Sequence, residues 1–182
     1  QRRRRLITIT LVGYRGTGKS SVAQQLAEQS NLSMLDADAE IERRAGCTIR
    51  DIFAKQGEAG FRELERDVMS DLLQRGNLVI AAGGGAVLNA DTRSQMKAAG
   101  PVVWLQADPD TIESRLRSDT TTHDRRPPLT KGDLASEIAT LLAAREPLYR
   151  EVATVTVVTD HRDVAEIVAE IISRLNAPEA RR

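Results

Sequence analysis

The sequence predicts an α/β protein of three layers, in which a five-stranded parallel sheet lies between two layers of helices. Short runs of β-branched and aliphatic residues alternate along the chain with longer segments whose apolar residues repeat at helical spacing. This alternation is typical of a parallel sheet covered on both faces. Glycine-rich or acidic segments also follow the first three apolar runs, and parallel sheets bind their ligands at the ends of such strands.

Five short apolar runs are the predicted strands. The first is rich in β-branched and aliphatic residues and stops at Gly13, as a buried strand does when it enters a turn. The second ends in an acidic segment and the third ends in three glycines. The predicted strands cover residues 6–12, 33–35, 78–81, 101–105 and 155–158.

Helical spacing of apolar residues accounts for the segments between these strands. The longest stripe runs from Phe61 to Leu73, with charged residues on the other positions. The predicted helices cover residues 19–29, 39–45 and 49–56, a longer segment around 61–73, and residues 90–99, 109–117, 133–145 and 163–175.

Length and charge limit the classes of function. A chain of 182 residues suits one domain over 1–182, with a basic lead-in at 1–5 and a frayed tail at 177–182. The 26 basic and 26 acidic residues balance, so no overall field favours nucleic acid or a membrane surface as partner. Cys47 is alone, which excludes an internal disulfide. The apolar run after the arginines is too short for a leader peptide or a membrane span, so we expect a cytoplasmic protein. We also expect a monomer.

Residues 13–20 read Gly-Tyr-Arg-Gly-Thr-Gly-Lys-Ser and match the Walker A pattern at every fixed position. A predicted strand precedes them and a predicted helix follows, so backbone N–H groups and the helix N-terminus converge on phosphate oxygens. Lys19 is expected to reach the β- and γ-phosphates, and the Ser20 hydroxyl to bind Mg²⁺. The predicted ATP contacts here are Gly13, Gly16, Thr17, Gly18, Lys19, Ser20 and Ser21.

Two acids, Asp36 and Asp38, follow the second strand, whereas the third strand carries no acid. One could hold magnesium and the other could accept a proton or hydrogen bond from an acceptor hydroxyl. The alternative is that Asp38, more readily than Asp36, caps the next helix. The polar, arginine-bearing segment 118–132 interrupts the pattern, and its length predicts a mobile lid.

A series of ordered motifs resembles the shikimate kinase family, which are small P-loop kinases of the nucleoside-monophosphate-kinase type. The resemblance covers residues 6–175. Besides Walker A it includes Asp36-Ala37-Asp38, Asp51-Ile52-Phe53, Gly57-Glu58, Phe61-Arg62 with Glu65, Gly83-Gly84-Gly85, Arg126-Pro127 and the run from Arg145 to Tyr149.

The resemblance implies an enzyme that transfers the ATP γ-phosphoryl group to the 3-hydroxyl of shikimate with Mg²⁺ as cofactor. Asp36 would be the magnesium-side acid, and Asp38 would contact the substrate hydroxyls and act as base. The implied substrate contacts are Arg62 and Arg145 on the carboxylate and the backbone of Gly83, Gly84 and Gly85. The implied nucleotide contacts are Arg126 on the transferring phosphoryl group, Arg117 on adenine and Arg162 beside the base.

Simpler roles stay open for the arginines. Arg62 could pair with Glu58 or Glu65 on its own helix face. Arg145 could neutralise the last turn of its helix, because Pro147 should end that helix soon after. Arg15 is an extra cation in the phosphate loop, and we expect it to point to solvent.

Two other functions compete with this prediction. One is a kinase for another small metabolite, such as gluconate or a nucleoside monophosphate, although the paired arginines and the triple glycine argue against it. The other is a nucleotide-binding module without catalysis, although such a module would be expected to have lost Lys19, Asp36, Asp38 or Arg126.

Overall fold

The structure is a computed structural model, and it describes residues 7–119 and 133–177. The predictions for the basic lead-in 1–5, for residues 120–132 of the lid with Arg126, and for the tail beyond residue 177 lie outside the described residues. None of the described helices is both long enough and apolar enough to cross a membrane.

The predicted five-stranded parallel sheet is confirmed. Its strands are β1 (Thr8–Val12), β2 (Ser33–Asp36), β3 (Leu78–Ala81), β4 (Val102–Gln106) and β5 (Val155–Val158). They lie in the order β2-β3-β1-β4-β5, and every neighbouring pair is parallel. The chain therefore places β2 and β3 on one side of β1 and then β4 and β5 on the other, and this change of side opens a crevice at the carboxyl end of β1.

Helices cover both faces of this sheet. They are α1 (Lys19–Ser30), α2 (Ala37–Ala45), α3 (Ile49–Arg75), α4 (Ala90–Ala99), α5 (Pro109–Ser118), α6 (Leu134–Val152) and α7 (Val164–Asn176). Successive strand residues point to opposite faces, so Val79 packs in the core with α1 and α7 while Ile80 packs in the core with α3, α4 and α6. The two cores hold the sheet rigidly, and the loops at its carboxyl edge rest on that support.

Three helix boundaries differ from the prediction. Helix α2 begins at Ala37, two residues early, because Asp36 and not Asp38 accepts the capping hydrogen bond from Ala39 N. The two segments predicted on either side of Gly57 join as one helix, α3, which kinks where Gly57 adopts φ 70°. Helix α6 continues through Pro147 to Val152, where Tyr149 and Val152 are buried in the core. Arg145 therefore does not lie in the last turn, and that alternative is wrong.

A third apolar cluster joins the sheet edge to α5 and α6. It contains Tyr14, Ala107, Ile112, Leu116 and Ile138. Tyr14 belongs to the glycine-rich loop after β1 and is 1% exposed. Burial raises the pKa of the Tyr14 hydroxyl above its usual value. This side chain therefore anchors the phosphate loop to the two helices on either side of residues 120–132.

Candidate active site

The loop after β1 is shaped by a close crossing over β4. Gly13 adopts φ 146°, and a Cβ atom at this position would lie 2.5 Å from Leu105 O. Only glycine fits so near a neighbouring carbonyl in this conformation. The loop can therefore turn tightly at the end of β1, so that its N–H groups lie beside those of the N-terminus of α1.

The loop is closed by hydrogen bonds from its own side chains. Lys19 Nζ donates to Gly13 O at 2.7 Å and to Tyr14 O at 2.9 Å. Thr17, which is 2% exposed, donates its hydroxyl to Tyr14 O at 2.8 Å. Thr17 is thus part of the loop's internal structure. To bind a phosphate, the Lys19 ammonium group would exchange these carbonyls for phosphate oxygens.

The two predicted acids have different positions. Asp36 ends β2, and its Oδ2 accepts a hydrogen bond of 2.6 Å from the Ser20 hydroxyl while its Oδ1 caps α2. Asp38 lies in the first turn of α2. The prediction that Asp38 is the residue more suited to cap this helix is wrong, because the strand ends at Asp36 and the helix starts directly after it.

A cavity of about 270 Å³ brings these groups together at the carboxyl edge of the sheet. Its wall includes Gly16, Gly18, Lys19, Ser20, Ser21, Asp36, Asp38, Gly83 and Gly84. The phosphate loop (residues 13–20), both acids and two glycines of the acceptor loop (residues 83–85) therefore face one space. Residues that are far apart in the sequence converge because their strands are neighbours in the sheet.

Arg62 lies against Gly85, and both line a second cavity of about 230 Å³ rather than the one that contains the phosphate loop. Its Nη1 donates to Glu65 Oε1 at 2.7 Å, and its Nη2 is 3.5 Å from Glu58 Oε1. The pairings that the sequence left open are thus both present, but the Arg62 side chain is only 17% exposed and Glu65 is buried. Within residues 7–119 and 133–177, no hydrogen-bond acceptor reaches the buried Arg62 Nε. A Cβ atom on Gly85 would overlap the guanidinium group.

Arg145 approaches the same loop from α6. It is 4% exposed, and its guanidinium carbon lies 5.7 Å from the centre of the Tyr14 ring. A Cβ atom on Gly84 would lie 3.4 Å from Arg145 Nη1. Tyr149, one turn further along α6, donates its hydroxyl to Gly84 O at 2.5 Å. Helix α6 therefore holds both a cation and a hydrogen-bond donor against the acceptor loop.

Arg15 does not point to solvent, and that prediction is wrong. Its Nη2 is 3.0 Å from Glu137 Oε1 in the first turn of α6. The Glu137 side chain is 4% exposed, and a carboxylate so buried requires a charged or hydrogen-bonding partner. Local sequence pattern does not indicate this pair, because its members are 122 residues apart.

The wall of the cavity does not include the two arginines predicted beside the nucleotide base. Arg117 pairs with Glu113 on its own helix at 2.6 Å and is 62% exposed. Arg162 donates to Glu170 Oε2 at 2.6 Å and to Val158 O at 3.0 Å, and it would have to leave these groups to contact a nucleotide. Both stay predictions as nucleotide contacts.

Arg115 is a site residue that the sequence reasoning missed. Its Nη1 donates to Gly16 O at 3.3 Å and to Thr159 Oγ1 at 3.1 Å, and its Nη2 donates to Thr159 O at 3.0 Å. Arg115 therefore ties α5 and the end of β5 to the phosphate loop. Nothing in the local pattern distinguished it from Arg117, because both are arginines of one amphipathic helix.

A separate charge cluster fixes α2 on α3. Glu40 is buried and accepts hydrogen bonds from Arg43 at 2.8 Å and from Arg44 at 2.7 Å, and Arg44 also pairs with Asp71 of α3. The hydrogen bonds from Arg43 and Arg44 lower the pKa of Glu40 from 4.5 to about 2. This cluster supports the helix whose first turn carries Asp38.

Comparison with known proteins agrees with this arrangement. The family model described as shikimate kinase matches residues 15–176. A shikimate kinase of Rhodopirellula baltica is 42% identical over 162 residues, which cover 89% of this chain and 87% of that protein. The structure of a shikimate kinase from Acinetobacter baumannii in complex with shikimate has a TM-score of 0.86 at 39% identity, covering 92% of each chain. A gluconokinase from Sinorhizobium meliloti has a TM-score of 0.63 at 22% identity, which shows a shared fold alone.

Proposed function

Because this chain belongs to the shikimate kinase family, we propose that it transfers the γ-phosphoryl group of ATP to the 3-hydroxyl of shikimate, giving ADP and shikimate 3-phosphate. The family assignment confirms the resemblance that the ordered motifs indicated. The observation that carries the proposal is the single cavity that joins a Walker A loop to Asp38 and to the loop of Gly83 and Gly84. A phosphoryl donor and an acceptor bound at its two ends would meet within it.

The donor end suits a nucleoside triphosphate. The loop over 13–20 and the N-terminus of α1 present N–H groups and a partial positive charge to phosphate oxygens. Lys19 adds a full positive charge beside them. In this proposal Lys19 neutralises charge on the β- and γ-phosphates, and Arg126, outside the described residues, meets the transferring group.

Ser20 and Asp36 fit the binding of Mg²⁺. Their oxygens form a hydroxyl–carboxylate pair 2.6 Å apart, and both face the cavity. Magnesium prefers oxygen ligands and is usually held by one or two protein groups together with substrate phosphates and water. A bound Mg²⁺ ion would supply charge neutralisation between the β- and γ-phosphates.

The acceptor end suits a small hydroxylated carboxylate. Arg62 lies against Gly85 and Arg145 against Gly84, and their planar guanidinium groups match a carboxylate with paired hydrogen bonds. Glu65 orients Arg62 through Nη1, while Arg62 Nε is buried without an acceptor in the described part of the chain. We assign the carboxylate to these two arginines and the acceptor hydroxyl to Asp38, which takes its proton during transfer.

A coupled assay of ADP release with a panel of acceptors tests the proposal. Purified protein with ATP and Mg²⁺ should release ADP with shikimate and should release little with gluconate or a nucleoside monophosphate. Gluconate is the informative competitor, because it also carries a carboxylate and the gluconokinase shares the fold. Faster release with gluconate than with shikimate would contradict the proposal, and release with no acceptor would indicate an ATPase.

A further inference from the structure

Arg15 of the phosphate loop and Glu137 of α6 form an ion pair that the proposed phosphoryl transfer does not use. The Arg15 side chain is 21% exposed and the Glu137 side chain is 4% exposed. Separating a pair this buried leaves an uncompensated charge, which is strongly unfavourable. The pair therefore fixes residue 15 relative to the first turn of α6.

The residues around this pair lead directly to Arg145. Tyr14, the neighbour of Arg15, packs in one apolar cluster with Ile138, the neighbour of Glu137. The Arg145 guanidinium carbon lies over the Tyr14 ring at 5.7 Å. The ring is thus a platform for Arg145, and its place depends on how segment 14–15 sits against α6.

Gly84 is the point at which the phosphate loop and the acceptor loop meet. A Cβ atom there would lie 3.4 Å from Arg145 Nη1 and 3.4 Å from the backbone N of Arg15. Tyr149 donates its hydroxyl hydrogen bond to the Gly84 carbonyl. Glu137, Arg145 and Tyr149 are spaced by multiples of four residues, so one face of α6 makes all these contacts.

We propose that Glu137, acting through Arg15, is a positioning residue for Arg145. The ion pair keeps Tyr14 where its ring supports the Arg145 guanidinium group beside Gly84, in the orientation that receives the acceptor carboxylate. This inference rests on the proposed function, because it takes Arg145 as a carboxylate ligand. Glu137 itself touches neither substrate. It affects only the binding of the acceptor carboxylate by Arg145.

The first test is Glu137→Gln, which keeps the size of the side chain and an acceptor oxygen for Arg15 but removes the charge. The dissociation constant for shikimate should rise by about 2- to 30-fold, the range that residues coupled to a site through packed contacts produce. The dissociation constant for ATP should stay at the wild-type value, and kcat at saturating shikimate should be retained. Calorimetry and initial rates measure these quantities.

Two comparisons separate positioning from a general loosening of the fold. The carboxamide analogue of shikimate lacks the negative charge, so Glu137→Gln should leave its affinity unchanged. In an Arg145→Ala background, Glu137→Gln should cause no further loss of shikimate affinity, because the group it positions is gone. Arg15→Lys keeps the charge pair and should largely retain shikimate affinity.

The control is Glu151→Gln on the same helix, which removes the charge of a half-exposed carboxylate that pairs with Arg93 and Lys97 and should change no ligand affinity. If Glu137→Gln does not fold, the double variant Arg15→Gln with Glu137→Gln buries no lone charge and takes its place with the same expected shift. An unchanged shikimate affinity, or equal losses for shikimate and its carboxamide, would overturn the inference. A wild-type protein that neither binds nor phosphorylates shikimate would instead refute the proposed function.

Discussion

Gly85→Ala should damage shikimate binding while leaving the fold almost untouched. Gly85 has φ −99° and ψ 5°, a conformation in the bridge region that alanine is also allowed to adopt. An alanine Cβ would however lie 2.6 Å from Arg62 Cζ. An ordinary contact needs about 3.5 Å or more, so the guanidinium group must move by about 1 Å. Because it is the end of a flexible side chain, the movement costs little stability.

The substitution should instead weaken the binding of shikimate, because Arg62 would leave the position that its 2.7 Å hydrogen bond to Glu65 defines. Removal of one partner from a buried, hydrogen-bonded charge pair costs about 2–5 kcal/mol, which corresponds to roughly 30- to 3,000-fold in affinity. The loss of shikimate affinity in Arg62→Ala should lie within this range. The loss in Gly85→Ala should be smaller, because the displaced guanidinium group is still present. The affinity for ATP should change little, because Arg62 and Gly85 line a different cavity from the phosphate loop.

Calorimetric titration of shikimate and ATP into the wild type, Gly85→Ala, Arg62→Ala and the double variant decides the matter. The two substitutions should be non-additive, because alanine at residue 85 has nothing to displace once Arg62 is gone. Wild-type shikimate affinity in Gly85→Ala, or full additivity in the double variant, would refute the assignment of Arg62 to the carboxylate. Thermal melting of each variant supplies the control for stability.

Three further predictions address other parts of the site. Lys19→Ala should lower kcat severely without changing the circular dichroism spectrum, because it removes the charge at the β- and γ-phosphates, and near-normal turnover would exclude that role. Arg115→Ala should raise the KM for ATP more than that for shikimate, because it releases Gly16 O and Thr159, and equal changes would argue against a role specific to the nucleotide. Acidification from about pH 4.5 to about pH 2 should destabilise the fold in part by protonating Glu40, whose pKa is lower in the folded state. Glu40→Gln should therefore lower Tm most near neutral pH and progressively less as the pH falls, and a constant difference would contradict the lowered pKa.

The sequence predicted the parts of the site that depend on local pattern. The parallel sheet and the Walker A loop followed from apolar periodicity and from glycine spacing, and the structure brings Lys19 and Asp36 to one cavity as expected. Local pattern does not predict the first residue of a helix when two neighbouring residues could each cap it. Asp36 and Asp38 are equally good caps by type, and only the end of β2 decides between them.

Contacts between distant segments could not be predicted from local pattern. Arg15 and Glu137 are each ordinary surface residues by type, and only the packing of α6 on the phosphate loop makes them a buried pair. The same holds for Arg115, which reaches Gly16 across 99 residues. Pro147 was a misleading signal, because the buried side chains of Tyr149 and Val152 keep the helix in place beyond it.

The most direct test of the central claim is to identify the product by phosphorus-31 and carbon-13 NMR. Purified protein, ATP, Mg²⁺ and shikimate should yield one phosphate monoester per ADP formed, with phosphorus coupling to C3 of the shikimate ring. That result would identify the acceptor hydroxyl, the donor and the reaction stoichiometry in a single experiment. A folded protein that releases no ADP in the presence of shikimate, or that releases ADP with inorganic phosphate and no ester, would contradict the account.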